Sequence, residues 1–326
     1  EALAEYEKLC ELLVAELGIE PSEETRHLYE RLLSGEQLPA VVQEDAEQAT
    51  VPDLVRSVAS PAGPPAILAG EAGEKEERGV FVGRERELSQ LHGFLAEALA
   101  GRGGVAFVTG AAGRGKTSLL DAFAGRAQAA HPELAVALGA CDAYSGAGDA
   151  YLPFRDVMAM LTGDVERQWS AGEISRDHAL RLWRLLPAAA AAIAERAPDL
   201  LGIFVPAQAL AKRLAAIPAG EGSRRLQEQL AVLAHAGGQG QNQDQLFGAY
   251  TEFLKTLAGQ HPLLLILDDL HWADISSINL LFHLARRVGE SRILIVGAYR
   301  PEDVVLSRDG QEHPIKGVLG ELKRHF

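Results

Sequence analysis

The stretch VAFVTGAAGRGKT, residues 105–117, decides the fold class of this chain. A short apolar run is followed by a glycine-rich loop and then by residues that favour a helix. The loop fits the pattern G-x-x-x-x-G-K-[ST] in full, in the strand-to-helix setting that the pattern requires. Gly110, Gly113 and Gly115 let the backbone curl so that its N–H groups point inward. A phosphate chain is the ligand that such a loop accepts, and the amino terminus of the following helix adds positive charge.

The residues of this loop have predicted roles in binding a nucleotide. Lys116 is expected to reach the β- and γ-phosphates, and Thr117 to offer its hydroxyl to Mg²⁺. A chance glycine-rich turn is the alternative, which the flanking strand and helix disfavour. The predicted nucleotide-binding residues here are Gly110, Ala111, Ala112, Gly113, Arg114, Gly115, Lys116, Thr117 and Ser118.

A second motif, LLLILDD at 263–269, ends a buried strand with two acids. Asp268 is expected to bind Mg²⁺, directly or through water, and Asp269 to act as the base that orients the attacking water. Two solvated acids at a strand end are the alternative. Asp269 is shorter by one methylene than the Glu often found in fast P-loop ATPases, so slow hydrolysis is expected.

A third position of interest follows the strand at 293–299, in the sequence GAYRP. Arg300 would lie at the carboxyl edge of the sheet, where ligands bind in open α/β folds. A positive charge there is suited to sensing a γ-phosphate. An ordinary surface arginine is the alternative. His271 follows the two acids and is the only histidine that we associate with the site.

Continuous apolar runs separated by amphipathic segments predict an α/β fold with a parallel sheet, because strands covered on both faces are apolar throughout. Residues 150–260 form a long insertion, rich in Ala and Leu, for which several helices are predicted, with breaks at Pro187, Pro198, Pro206 and Pro218. Predicted strands are 105–110, 134–141, 263–269 and 293–299. Predicted helices outside the insertion are 85–100, 116–129 and 276–288.

Charge and cysteine content limit the possible partners. The 326-residue chain has a formal net charge of −14, and its acids concentrate in the first 79 residues. Such a surface repels nucleic acid phosphates, so DNA binding by this chain alone is not expected. No apolar run is long enough to cross a membrane. Cys10 and Cys141 are predicted to be free thiols in a reducing cytoplasm rather than a disulfide.

The amino-terminal part is predicted to be built differently from the rest. Residues 1–36 carry two short apolar stripes separated by a turn, which predicts an αα-hairpin like the end of a helical repeat. Residues 37–78 are acidic and rich in Pro and Ala, which predicts a linker. Residues 79–326 then form the α/β domain.

Four motifs of this chain, in their order along the sequence, resemble the AAA-type ATPase module of signal-transduction (STAND) NTPases. They are FVGREREL, GAAGRGKT, LLLILDDLHWAD and GAYRPED. The segment EYEKLCELLVAELGIEPSEETRHLYERLLSGE resembles the end of the bacterial transcriptional activator domain, a TPR-like helical repeat. Together they resemble a SARP-type transcriptional regulator. The resemblance implies an ASCE-type P-loop fold with sheet order 5-1-4-3-2, and a chain that is the core of a longer regulator.

The resemblance also implies roles for residues outside the glycine-rich loop. Gly83, Arg84 and Glu85 would hold the adenine end of the nucleotide, and Arg300 would sense its γ-phosphate. ATP or ADP with Mg²⁺ is the implied cofactor set. DNA and RNA polymerase would be engaged through domains outside this chain, and self-association is expected.

These expectations combine into a nucleotide-dependent switch in a cytoplasmic transcription activator, with weak ATPase activity that serves regulation. The main alternative is a STAND-type ATPase of a signalling, cyclase-linked or defence protein that does not bind DNA. A working ATPase that drives remodelling and a scaffold that only binds ATP are two further alternatives.

Overall fold

The computed structural model describes residues 83–142, 150–217, 221–235, 242–304 and 315–317. The predicted helical hairpin and linker lie outside these residues, as does Cys10. Cys141 is a buried free thiol.

A parallel four-stranded sheet forms the centre of the described domain. The strands are β1 (Gly104–Thr109), β2 (Ala135–Ala140), β3 (Leu263–Asp268) and β4 (Ile293–Tyr299). They pair in the order β1-β4-β3-β2, with every pair parallel. This confirms the 1-4-3-2 part of the predicted order, and no described residue fills the fifth position. The apolar runs become strands because both faces of the sheet are covered by helices.

Ten α-helices accompany the sheet within the described residues. They are α1 (Glu85–Leu99), α2 (Lys116–Ala130), α3 (Leu152–Leu161), α4 (Glu166–Ser170), α5 (Arg176–Arg196), α6 (Ala207–Ala215), α7 (Glu221–His235), α8 (Gln243–Gln260), α9 (Ile275–Ala285) and α10 (Pro301–Val304). Two 3-10 turns, Pro198–Leu200 and Leu270–Trp272, complete the elements.

The two faces of the sheet belong to two different cores. On one face, α1 and α2 pack their apolar stripes against inward side chains of the strands such as Leu264, Ile266 and Val296. On the other face, Leu265 and Ile295 belong to a larger core that continues into the helices of the insertion. The alternation along β3 therefore assigns neighbouring leucines to different cores.

The insertion is helical throughout most of its described length, as predicted, but one predicted break is wrong. Pro187 lies inside α5, which runs unbroken through it. A proline in this position removes one backbone hydrogen bond and crowds the preceding turn. The residues around it, from Leu185 to Ile193, are almost all buried in the larger core, so tertiary packing outweighs the local preference.

Helix α8 joins the insertion to the sheet. Phe247, Tyr250 and Phe253 are buried along one side of it, as the spacing predicts. The Tyr250 hydroxyl donates a hydrogen bond of 3.0 Å to the carbonyl oxygen of Phe154 in α3. This hydrogen bond satisfies a fully buried polar group and fixes α8 against α3.

Strand β2 and helix α3 make a very close backbone approach. A Cβ atom added to Gly139 would lie 2.0 Å from the carbonyl oxygen of Pro153. Only a residue without a side chain allows this distance. None of the described helices has the length and apolar character needed to span a membrane.

Candidate functional site

The glycine-rich loop connects β1 to α2 in the conformation that its sequence requires. Gly113 and Gly115 have φ angles of 68° and 73°, in the left-handed region that glycine adopts without strain. Gly115 is the residue immediately before α2, and the N–H of Arg114 closes the turn on the carbonyl of Ala111 at 3.3 Å. The predicted strand-loop-helix unit is therefore present, with the amino terminus of α2 at the loop.

Lys116 lies within the concave side of this loop. It is only 7% exposed. Its Nζ donates hydrogen bonds to the carbonyl oxygens of Gly110 at 2.8 Å and Ala111 at 3.1 Å. The ammonium group is therefore held beside the backbone groups that are suited to a phosphate chain.

Thr117 and Asp268 meet although 151 residues separate them. The Thr117 hydroxyl donates a 2.6 Å hydrogen bond to Oδ2 of Asp268 at the end of β3. The other oxygen, Oδ1, accepts a hydrogen bond of 2.7 Å from the N–H of Asp269. A hydroxyl and a carboxylate oxygen are donors that suit Mg²⁺, so the two predicted metal ligands lie together.

Asp269 has an unusual backbone conformation. Its φ and ψ angles of 53° and 37° place it in the left-handed region, where residues other than glycine are uncommon. Its carbonyl accepts a hydrogen bond of 2.9 Å from the N–H of Trp272, which closes the 3-10 turn that follows. This turn directs the chain sharply away from β3 and leaves Asp269 at the edge of the sheet.

His271 connects Asp269 to the segment that follows β4. Its side chain is fully buried, with Nδ1 3.8 Å from Oδ1 of Asp269 and Nε2 3.6 Å from Oδ2 of Asp303. Neither ring nitrogen makes a hydrogen bond within the described residues. Burial lowers the pKa of His271, and Asp269 offsets part of this effect. The imidazole is therefore held between two acids of the site.

Arg300 lies beside the same acids. Its Nη1 is 3.6 Å from Oδ2 of Asp303, in the first turn after the strand. Arg300, Asp303 and His271 thus form one polar group at the carboxyl edge of β4. The structure places Arg300 at the edge where it was predicted.

The one-turn helix α10 also reaches the glycine-rich loop. Oε1 of Glu302 accepts a hydrogen bond of 3.2 Å from the N–H of Ala112. Neither Glu302 nor Asp303 was predicted as a site residue. The sequence GAYRPED gives a signal that could have found them, since two acids lie three and four residues after the end of a strand at the ligand-binding edge.

The segment Gly83–Glu85 touches the loop through one side chain. Arg84 donates a short hydrogen bond from its guanidinium group to the carbonyl oxygen of Arg114, and its other terminal nitrogen is 3.6 Å from Glu87. Gly83 has a φ of 90° and so needs to be glycine. No contact within the described residues connects the exposed Glu85 side chain to the loop.

A cavity of about 320 Å³ adjoins Thr117 and Asp268. Its other walls include Asp156 of α3, Arg167 of α4 and Glu173, all from the insertion. A second link lies nearby, where the N–H of Tyr151 donates a 3.2 Å hydrogen bond to Oδ2 of Asp274. The insertion is therefore in direct contact with the edge that carries the site.

A glycine-rich loop beside a Thr–Asp pair, at the carboxyl edge of a parallel sheet, defines a P-loop nucleotide-binding protein of the α/β class. Residues 80–296 match the AAA ATPase domain family, and this chain belongs to that family. Residues 1–33 match the bacterial transcriptional activator domain. This succession is that of a SARP-type transcriptional regulator with an AAA module, that is, a transcriptional activator with an ATPase module. Comparisons with curated proteins and with solved structures found no match.

Proposed function

We propose that residues 79–326 are a nucleotide-dependent switch within a transcriptional activator. ATP with Mg²⁺ binds at the glycine-rich loop, and its slow hydrolysis resets the switch. The observation that supports this most directly is the 2.6 Å contact between Thr117 and Asp268. It joins the helix after the loop to the strand that carries the acids, as a metal-nucleotide site requires.

The residues present fit a magnesium ion that is shared with a nucleotide. Thr117 and Asp268 would supply one oxygen each, and phosphate oxygens and water would complete the six positions that Mg²⁺ prefers. Across the described residues, no group of three or more His, Cys, Asp or Glu side chains is placed to hold a metal alone. An ion held here therefore depends on the nucleotide.

The remaining predicted residues have consistent places in this proposal. Lys116 would leave the carbonyls of Gly110 and Ala111 and contact the β- and γ-phosphates. The backbone from Gly110 to Ser118 would surround the phosphate chain. Gly83–Glu85 would hold the adenine end, with Arg84 already bound to the loop. Arg300 would contact the terminal phosphate.

Hydrolysis in this site would depend on Asp269. Its carboxylate would orient a water molecule and take up its proton. The water oxygen would bond to the γ-phosphorus as the bond from that phosphorus to the β–γ bridging oxygen breaks, giving ADP and phosphate. The side chain of Asp269 is one methylene shorter than that of the Glu often found in fast P-loop ATPases, so slow hydrolysis is expected. His271 lies close to it, and Asp303 lies close to His271. Turnover below about one per second, against a median enzyme turnover of about 10 per second, fits a switch better than a motor.

The switch would act through the insertion and the amino-terminal part. A nucleotide can shift a conformational equilibrium only by its different affinity for the two states. The Tyr151–Asp274 hydrogen bond and the shared cavity give the insertion a physical connection to the site. The activator-like residues 1–36, carried on the linker 37–78, would respond through packing or self-association. DNA and RNA polymerase would be contacted by other parts of the regulator.

The alternative is a signalling ATPase of the same family that does not bind DNA. The formal net charge of −14 disfavours binding of nucleic acid by this chain alone and so is compatible with this alternative. The two candidates differ in one measurement. Promoter binding by the complete regulator that changes between ATP and ADP supports the switch in transcription, and nucleotide binding without any DNA binding supports the alternative.

The site is tested by equilibrium binding of ATP with Mg²⁺ to the Lys116→Ala variant. We expect a loss of roughly 10- to 100-fold in affinity, the effect of removing a hydrogen bond between charged groups. Lys212→Ala is the matched control, because Lys212 is an exposed lysine on α6 in the insertion. The control should bind ATP as the unmodified protein does.

Two results would contradict the proposal. Equal ATP affinity in Lys116→Ala and the unmodified chain would remove the site assignment. ATP turnover of tens per second that does not respond to any regulatory partner would contradict the proposed switch and favour a working ATPase.

A further inference from the structure

The contact between Glu302 and the glycine-rich loop has no role in the site described so far. Oε1 of Glu302 lies 3.2 Å from the backbone nitrogen of Ala112, a residue 190 positions away in sequence. Glycine-rich loops of this kind present their N–H groups to phosphate oxygens. The Glu302 carboxylate therefore accepts a hydrogen bond from an N–H group of the phosphate-binding loop.

The one-turn helix α10, which contains Glu302, makes several contacts with its surroundings. Val304, at the end of α10, is only 4% exposed and packs in the larger core. The N–H of Asp303 donates a hydrogen bond of 3.2 Å to the carbonyl of Arg300. Asp303 also contacts Arg300 and His271 through its carboxylate. Glu302 is thus an exposed side chain on a short turn that Val304 anchors at its end.

The strand order shows which end of a nucleotide this turn faces. β4 lies between β1, which leads into the loop, and β3, which ends at Asp268. The chain that leaves β4 therefore lies between the phosphate loop and the metal ligand. Arg84, which would hold the adenine end, precedes α1 and donates a hydrogen bond to the carbonyl oxygen of Arg114, whereas Glu302 contacts the loop at Ala112. Glu302 is placed at the terminal-phosphate end.

We propose that Glu302 is a built-in competitor for the terminal phosphate of the nucleotide. Its carboxylate occupies the Ala112 N–H in the free protein and must withdraw before a triphosphate is bound, because two anions repel at this distance. The phosphate chain of ADP does not extend as far toward Glu302, so the carboxylate repels ADP less than ATP. Glu302 would therefore lower the affinity for ATP more than that for ADP. This inference rests on the proposed function, since it assigns a role within the same site.

The withdrawal of Glu302 would also affect its neighbours. Asp303 is the next residue and contacts both His271 and Arg300. Movement of this single turn would change those two contacts together and make Arg300 available to the arriving phosphate. The loop, the proposed base Asp269 and the arginine would then respond to one event.

A purely structural role for Glu302 predicts the opposite result. If the carboxylate served only to stabilise the loop, its removal would weaken the loop and lower the affinity for both nucleotides. The two roles therefore differ in the direction of the effect as well as in its dependence on the third phosphate.

The test is equilibrium binding of ATP and ADP, each with Mg²⁺, to the complete chain and its Glu302→Gln variant. The glutamine keeps the shape of the side chain and removes its charge. We expect ATP to bind about three- to tenfold more tightly, an effect of the size of one ordinary hydrogen bond because the Glu302 contact is exposed, and ADP affinity to change by less than about twofold. Glu302→Asp, which keeps the charge on a shorter side chain, should tighten ATP binding less than Glu302→Gln does.

Glu290→Gln is the matched control. Glu290 is an exposed acid that precedes β4, at the amino edge of the sheet. The Glu290→Gln substitution removes the same charge at the opposite end of the same strand, so the affinity for ATP should not change. Without nucleotide, Glu302→Gln should melt within about 2 °C of the unmodified protein, since one exposed contact is worth little to the fold.

The outcomes separate this inference from the proposed function. If Lys116→Ala abolishes ATP binding but Glu302→Gln leaves it unchanged or weaker, the site stands and the competitor role of Glu302 is wrong. Equal tightening for ATP and ADP also overturns that role. If Lys116→Ala has no effect, the site assignment itself fails, whatever Glu302→Gln does.

Discussion

Asp269 shows how one residue combines a backbone requirement with a chemical one. Aspartate tolerates the left-handed region better than most residues because its short side chain bonds to nearby backbone groups. The turn it forms buries His271 directly against the site. The sequence DDLHWAD therefore specifies a sharp bend as well as a pair of acids, and the bend brings the histidine under α10.

The pH dependence of stability follows from the burial of His271. Its lowered pKa means that the folded protein binds this proton more weakly than the unfolded chain does. Stability should therefore fall as the pH drops below about 6.5, by at most about 1.4 kcal/mol per pH unit for one such group. The charged groups that face the imidazole are Asp269, Arg300, Asp303 and Lys116.

The measurement is chemical unfolding of the unmodified chain and of His271→Gln at pH 8 and at pH 5. At pH 8 the imidazole is neutral, so that pair gives the packing cost of the substitution alone. The loss of stability between pH 8 and pH 5 should be smaller in the variant. An equal loss in both proteins would show that His271 does not contribute to the acid sensitivity.

The sequence predicted the local parts of the site and missed its distant contacts. The loop residues and the two acids at the end of β3 form continuous motifs, so spacing alone was enough to propose them as candidates. Glu302 was missed because its contact depends on how the chain turns back after β4. A sequence pattern does not contain this path, although the strand order predicted that β4 would lie next to β1.

At the scale of elements, a very close backbone approach joins β2 to α3. The backbone of Pro153 approaches Gly139 so closely that no side chain fits between them. This contact fixes the start of the insertion against the edge strand of the sheet. The same helix carries Asp156, which lines the cavity beside the metal ligands.

Substitution of Gly139 by alanine should therefore destabilise the protein. The new Cβ atom would lie 2.0 Å from the Pro153 carbonyl oxygen, so β2 and α3 must move apart. We expect a loss of about 1–3 kcal/mol in the free energy of unfolding, as for other overpacked sites. Gly104→Ala in β1 is the control, because nothing lies within 4 Å of its Cβ position.

The two variants are compared by thermal unfolding under the same conditions. Gly104→Ala should melt close to the unmodified protein, and Gly139→Ala several degrees below it. Equal melting temperatures for the two variants would mean that α3 can shift without cost.

Among the elements, the strands were predicted to within one residue and the insertion helices less well. Apolar runs between turn residues leave little choice for β1 to β4. Pro187 was predicted to end a helix because local preference says so, and the burial of the residues around it reverses that preference. Burial depends on partners that a single sequence does not reveal.

At the scale of the whole molecule, the proposal concerns assembly. A module that changes its packing with nucleotide should change its mass in solution if packing controls self-association. We expect light scattering to give different average masses with ATP and with ADP, both in the presence of Mg²⁺. Lys116→Ala should show the same mass with either nucleotide.

A mass that does not depend on the nucleotide in the unmodified chain would contradict self-association as the output. The nucleotide would then have to act within a single copy, through the links between the insertion and the site.

The core that the sheet shares with the insertion has a consequence for protein engineering. One face of β3 and β4 is covered by helices that lie between β2 and β3 in the chain. A chimaera that contains only the strands with the motifs, and lacks residues 150–260, would expose an apolar face of the sheet to water. The nucleotide site can therefore be grafted onto another protein only together with its insertion.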